Sequence, residues 1–201
     1  MTYKYSADWF SWAPDLLTAI TPMLPERKRI LEIGAFEGRS TVWMLEHMLE
    51  DDGELYTVDT WGGGEEHAQL NVDMTATEAN FDYNMLLART QFPDRHVAKL
   101  KGLSRVILSR LVDDKPFDFI YVDGSHTAPD VLTDACMAWG LLKPGGFMVF
   151  DDYLWGDSRD ILHRPKAAVD AFVNIFAEQC DVRHMNYQLA VMKKVPNAPD
   201  V

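Results

Sequence analysis

Five short apolar runs, Arg29–Ile33, Glu54–Val58, His96–Leu100, Phe117–Val122 and Gly146–Phe150, recur along this chain with helix-length segments between them. Parallel strands need long crossover connections. The stretches at about Arg39–Glu50, Thr77–Gln91, Ser104–Asp113 and Ala128–Leu142 supply them at helical period. The alternation is that of an α/β fold around a mostly parallel, doubly wound sheet. Beyond a further helix at about Arg164–Glu178 the pattern changes. Val182–Tyr187 and Leu189–Lys194 stand too close together for a crossover, so they pair as an antiparallel hairpin and set one antiparallel strand into the sheet. No repeat or low-complexity tract interrupts the 201 residues, and 47% of them are apolar, so a single compact domain over residues 1–201 is expected, with residues 1–26 as an amphipathic helical segment.

Charge and length narrow the partners. Nineteen Lys and Arg against 31 Asp and Glu leave a net charge of −12, with no basic stripe to meet a phosphate backbone, so nucleic acid and anionic membrane are excluded. The apolar runs are too short to span a bilayer. The start, MTYKYSADWF, has an acid and aromatics where a signal peptide needs a continuous apolar stretch, and a cytoplasmic location is expected. Cys136 and Cys180 read as buried free thiols. The ten methionines, including Met44, Met48 and Met148, read as core filler, and His47 and His163 as surface residues without a role.

The chemistry concentrates where strands end. The first run closes in LEIGAFEGRST: Glu32, then Gly34, Ala35 and Phe36, then Gly38 and Ser40 at the start of a helix. Glycines there let a ligand approach a turn whose following helix offers unpaired N–H groups; the same spacing also serves packing alone. It matches neither a phosphate-binding GxxxxGK[ST] loop nor a dinucleotide GxGxxG. Asp59 ends the second run 25 residues beyond Gly34, where an acid can accept both ribose hydroxyls of a nucleoside. Gly102, Leu103 and Ser104 follow the third run as a small polar turn suited to an adenine edge. Together these strand ends describe a nucleoside site without a pyrophosphate cradle.

On these residues the chain resembles the class I S-adenosylmethionine-dependent methyltransferases, and among them methyltransferase family 24 and the catechol-type and antibiotic-sugar metal-dependent O-methyltransferases. LEIGAFEG looks like their first motif and Asp59 stands at their ribose-binding acid. FDFIYVDGSH and LLKPGGFMVFDDY resemble their fourth and fifth strands, and the hairpin fits their antiparallel seventh strand. The resemblance runs from about residue 27 to residue 195. It implies a Rossmann-like seven-stranded sheet and a cofactor site of Glu32, Gly34, Ala35, Phe36, Gly38, Ser40, Asp59, Thr60, Trp61, Gly102, Leu103, Ser104, Asp123 and Gly124.

Three carboxylates, Asp123 after the fourth run and Asp151 and Asp152 after the fifth, converge beside that site. They repel one another unless a divalent cation lies between them, and oxygen ligands favour magnesium, manganese or calcium. The alternative is that Asp152 caps a turn and Asp123 meets the cofactor or a backbone N–H. The resemblance implies magnesium at these three positions, holding an acceptor hydroxyl in line with the sulfonium methyl. His126 lies three residues past Asp123, where catechol-type enzymes carry a lysine base, and an imidazole of pKa near 6.5 suits that role. A cofactor-contacting or structural histidine is the other reading. Two departures stand out: Ser125 occupies the place of an acidic base candidate in the sugar-modifying relatives, and Tyr153 follows the acidic pair.

The segment Thr60 to Thr75, TWGGGEEHAQLNVDMT, is long for a crossover loop and reads either as a lid or as a solvated insertion. Trp61 and His67 in it, with Tyr153 and Trp155, offer an apolar wall for an aromatic or sugar acceptor, or simple packing. Trp9, Phe10 and Trp12 are expected to cover the acceptor site or to make a homodimer contact. The function expected is O-methyl transfer to a hydroxylated small molecule. An NAD-dependent oxidoreductase and a non-catalytic cofactor-binding protein of the same fold are the alternatives; the absence of GxGxxG counts against the first, and the acidic cluster against the second.

Overall fold

The computed structural model describes residues 2–156 and 159–196. Seven strands form one sheet in the order β3-β2-β1-β4-β5-β7-β6: β1 Arg29–Ile33, β2 Glu54–Asp59, β3 His96–Lys101, β4 Phe117–Val122, β5 Leu142–Phe150, β6 Cys180–Met185 and β7 Leu189–Lys193. Strands β1 to β5 pair in parallel, and β7 runs antiparallel to both β5 and β6. The sheet is therefore mostly parallel with the expected antiparallel strand, and its order reverses between β1 and β4. That reversal opens a crevice at the carboxyl ends of the strands.

Side-chain alternation along the strands divides the core. Ile30, Leu55, Phe119, Tyr121, Phe147 and Val149 face one side and pack with Leu17 and Ile20 of α1 (Pro14–Ile20) and Met44 of α2 (Arg39–His47). Leu31, Ile33, Ile120, Val122, Met148 and Phe150 face the other. There they meet Leu108 of α5 (Ser104–Arg110), Val131 and Trp139 of α6 (Ala128–Leu141) and Phe172 of α7 (Lys166–Ile175). Met44, Met48 and Met148 are buried, as core filler should be.

Several local expectations shift. Helix in the N-terminal segment is confined to α1 and a 3₁₀ turn at Thr21–Met23, with Pro14 supplying its N-terminal start. The residues before it run as a strap held by side chains. Asn84 accepts from the Lys4 N–H at 2.8 Å and donates to its carbonyl at 2.8 Å, while Glu37 accepts from the Ser6 N–H at 2.6 Å. The 60–75 segment contains a short helix, α3 (Glu65–Gln69), and ends where Asp73 caps α4 (Met74–Gln91) by accepting from the N–H groups of Thr75 and Ala76. Both cysteines are free, but only Cys180 is buried; Cys136 lies on the outer face of α6 and is exposed. Among the described residues no helix is long and apolar enough to cross a membrane.

Candidate active site

The carboxyl ends of β1, β2, β3 and β4 enclose a cleft of ≈ 730 Å³. On one side, Gly34, Ala35, Phe36 and Ser40 come from the first loop, Asp59 and Thr60 from the second, and Gly102, Leu103 and Ser104 from the third. Asp123, Gly124, His126 and Asp152 line the other side. The turn after β1 depends on Gly34: at φ +91°, a Cβ there would lie 1.9 Å from the Asp123 carbonyl oxygen. Only a residue without a side chain lets the β1 and β4 turns approach so closely.

Asp59 knits the loops together. One carboxylate oxygen accepts from the N–H groups of Ala35 and Phe36, at 2.8 and 3.0 Å, and the other from the Trp61 N–H at 2.7 Å. Phe36 is thereby held at φ +49°, with its ring 4.7 Å from Trp9 of the strap and 5.4 Å from His67 of α3. Strap, glycine turn and the 60–75 segment thus meet in one aromatic cluster at the cleft mouth.

Four sequence expectations are corrected here. Glu32 does not face the cleft: fully buried, it accepts from the hydroxyls of Ser40 at 2.5 Å and Thr41 at 2.6 Å, and desolvation pushes its carboxyl up to about 7. Gly38 starts α2 but looks away from the cleft, where a Cβ would meet the Phe81 ring at 2.9 Å. Trp61 lies under the loop, 4% exposed, and its indole donates to the Phe36 carbonyl at 2.9 Å, so it supports the turn from behind instead of lining cofactor or acceptor space. Asp151 points into the sheet, where its carboxylate accepts from the Tyr121 hydroxyl and from the Trp12 indole at 3.4 Å.

With Asp151 turned inward, the convergent donors become Asp123, His126 and Asp152, each offering an atom within 4.8 Å of the others. His126 Nε2 lies 2.8 Å from the Asp152 carboxylate, and its ring stacks on Trp155 at 4.4 Å. Burial, and then the charges of Asp151 and Asp152, hold the Asp123 carboxyl well above the usual carboxylate range. The two carboxylates, Asp123 and Asp152, offer oxygen donors of the kind magnesium or manganese takes, while His126 Nε2 is engaged by Asp152.

Sequence reading missed three groups. Tyr187, in the hairpin turn, lines the cleft; burial, and then the nearby Asp152 charge, raise its phenol above the ordinary value. Asp134, buried on α6 and lining the cleft, is pushed up to about 6 by desolvation. His163, read as idle, lines the cleft. The helical register of Asp134 was the one available signal. The hairpin turn and the segment after β5 have no period to read.

The family model of methyltransferase family 24, described as a methyltransferase domain, matches residues 31–153. A provisionally named O-methyltransferase of Mycobacterium sp. (strain JLS) is 28% identical over 134 residues, 66% of this chain and 52% of the relative. The chain thus spans about half the length of that curated relative. Among solved structures, the O-methyltransferase TomG of Streptomyces achromogenes, in complex with S-adenosylmethionine, has a TM-score of 0.67 at 22% identity, with 91% of this chain and 81% of that one covered. The O-methyltransferase of Bacillus cereus, in complex with S-adenosylhomocysteine, gives 0.62 at 19% identity, covering 94% and 84%. The MycE methyltransferase of the mycinamycin biosynthetic pathway, in complex with Mg, S-adenosylhomocysteine and mycinamycin VI, gives 0.62 at 16%, covering 97% and 52%. At these identities the structural likeness is one of fold. The family match, which takes in more than half of the chain and both the glycine turn and the Asp123–Asp152 cluster, places this protein in methyltransferase family 24.

Proposed function

We propose that the protein transfers a methyl group from S-adenosylmethionine to a hydroxyl oxygen of a small molecule, with a divalent cation held by Asp123 and Asp152. The observation that carries this reading is the adjacency, in one cleft, of a nucleoside half built on Asp59 and an acidic half built on Asp123, His126 and Asp152. Asp59 lines the cleft; its oxygens accept from three backbone N–H groups, which leaves the carboxylate one further lone-pair site as the acceptor for a ribose hydroxyl. A cation bound by these carboxylates makes an acceptor hydroxyl more acidic and fixes its orientation. The acceptor oxygen forms its bond to the methyl carbon as the carbon–sulfur bond breaks; the electron pair stays on sulfur, giving S-adenosylhomocysteine. The hydroxyl proton passes to the Asp152–His126 pair, whose carboxylate and Nε2 lie 2.8 Å apart and share the charge that develops.

MycE, solved with Mg, supports the metal by analogy of fold. Trp12, Trp155 and Tyr187 border the acidic half with flat, amphipathic rings, which suits a sugar or phenolic acceptor. Calorimetric titration of S-adenosylmethionine and of NAD, with and without magnesium, tests the reading. Micromolar binding of the first and none of the second is expected, lost in Asp59→Ala but kept in Asp152→Asn. Binding of NAD alone would overturn it in favour of the oxidoreductase.

A further inference from the structure

Asp152 holds a backbone φ of +53°. Few residues with a side chain occupy that left-handed region; Asp enters it more readily than most, and flanking contacts decide where it does. Its two neighbours are anchored on opposite faces of the sheet. Asp151 turns to the face of Tyr121, whose hydroxyl its carboxylate accepts from. Tyr153, 4% exposed, drops into the other cluster with Phe150 and Phe172. Regular alternation would place residues 151 and 153 on the same face, so the chain reverses at Asp152 to reach both anchors.

The second anchor is secured at the tip of the Tyr153 side chain. Its hydroxyl donates to one Asp170 oxygen at 2.8 Å and accepts from Lys166 Nζ at 2.7 Å. Lys166 also donates to the other Asp170 oxygen at 2.7 Å, one turn along α7, and its ammonium lies 4.6 Å over the Tyr153 ring. None of the three residues lines the cleft. Whatever they contribute to the site therefore reaches it through the backbone of Asp152.

We infer that Tyr153, Lys166 and Asp170 are positioning residues that lock Asp152 in its left-handed conformation and so aim its carboxylate at His126. The geometric half of this inference stands alone; its consequence for a bound cation rests on the proposed function. Burial of the Tyr153 ring is the competing explanation, and Tyr153→Phe separates the two because it removes only the hydroxyl. Lys166→Met keeps the stem and removes the donor, and Lys166→Arg restores a donor.

Two readouts on the full chain decide it. Backbone carbon NMR shifts of Asp152 in metal-free protein report the left-handed conformation; they are expected to leave that range in Tyr153→Phe and Lys166→Met and to return in Lys166→Arg. Manganese binding, followed by electron paramagnetic resonance, is expected to weaken about tenfold in the first two variants, the usual scale for groups that orient a ligand. S-adenosylhomocysteine affinity, measured by calorimetry, should not move. Unchanged Asp152 shifts in both variants would overturn the inference, and so would shifted resonances with manganese affinity intact. A wild-type protein that binds no manganese would overturn the metal reading alone, while the Asp152 shifts still decide the positioning role.

Discussion

Glu32 sits in the middle of the segment that gave the chain its functional reading, yet its carboxylate serves the fold. Accepting from Ser40 and Thr41, it ties β1 to the first turn of α2 and so sets the direction in which the glycine turn leaves the sheet. Its carboxyl titrates at an ordinary 4.5 when unfolded and at about 7 when folded. Between those values the folded chain keeps a proton that the unfolded chain has lost. The stability this gives is complete below pH 4.5 and disappears as pH rises through 7. Urea unfolding of wild type and Glu32→Gln should therefore show the variant gaining on the wild type by roughly 3 kcal/mol between pH 4 and pH 8. Parallel pH profiles would contradict the buried acid. The identities of Glu32, Gly34 and Asp59 were legible in the sequence as a motif. That Glu32 and Gly38 serve packing while Gly34 and Asp59 form the cleft was not, because neighbours in a turn differ only in the side to which the backbone directs them.

Among the elements, the strap shows how a segment with no regular structure becomes part of a site. Asn84 of α4, fully buried, holds the Lys4 N–H and carbonyl and also donates to the Glu37 carbonyl at 2.8 Å. Arg39 of α2 adds a contact over the Tyr5 ring at 4.3 Å. Asn84→Ala leaves the buried Glu37 carbonyl without its donor, releases the Lys4 backbone, and is expected to cost about 1–3 kcal/mol. Limited proteolysis should then cleave ahead of α1 in the variant but not in the wild type. The strands and the helices α2 and α4 to α7 are legible in the sequence to within a few residues, since apolar periodicity is a local property. The strap belongs to a segment whose amphipathic start predicts helix, but side chains distant in sequence hold it without regular structure.

Across the molecule, the two faces of the sheet carry different loads. Phe172 of α7, with no exposed surface, is packed against Trp139 and Phe150, and Phe172→Ala should cost about 3–5 kcal/mol in urea unfolding. The cluster on the opposite face, which holds the strap and Tyr121, should be untouched, so S-adenosylhomocysteine affinity of the folded variant should be retained. A loss of both would show that the two clusters act as one. The alternation of strands and helices and the short terminal hairpin follow from the sequence, while the placing of β1 beside β4 and of β7 between β5 and β6 is seen in the folded sheet. The carboxyl ends of the strands, and hence the neighbourhood of Asp59, Asp123 and Asp152, come with that order. Which of two adjacent acids enters the cleft does not. Asp151 and Asp152 are chemically identical and consecutive, and a single left-handed residue between a Tyr121 hydroxyl on one face and a Tyr153 anchor on the other turns one inward and the other toward His126. Local pattern carries the order of the elements because propensity and periodicity act over a few residues. The direction of each side chain at the site depends on contacts made across the sheet, which exist only once the chain has folded.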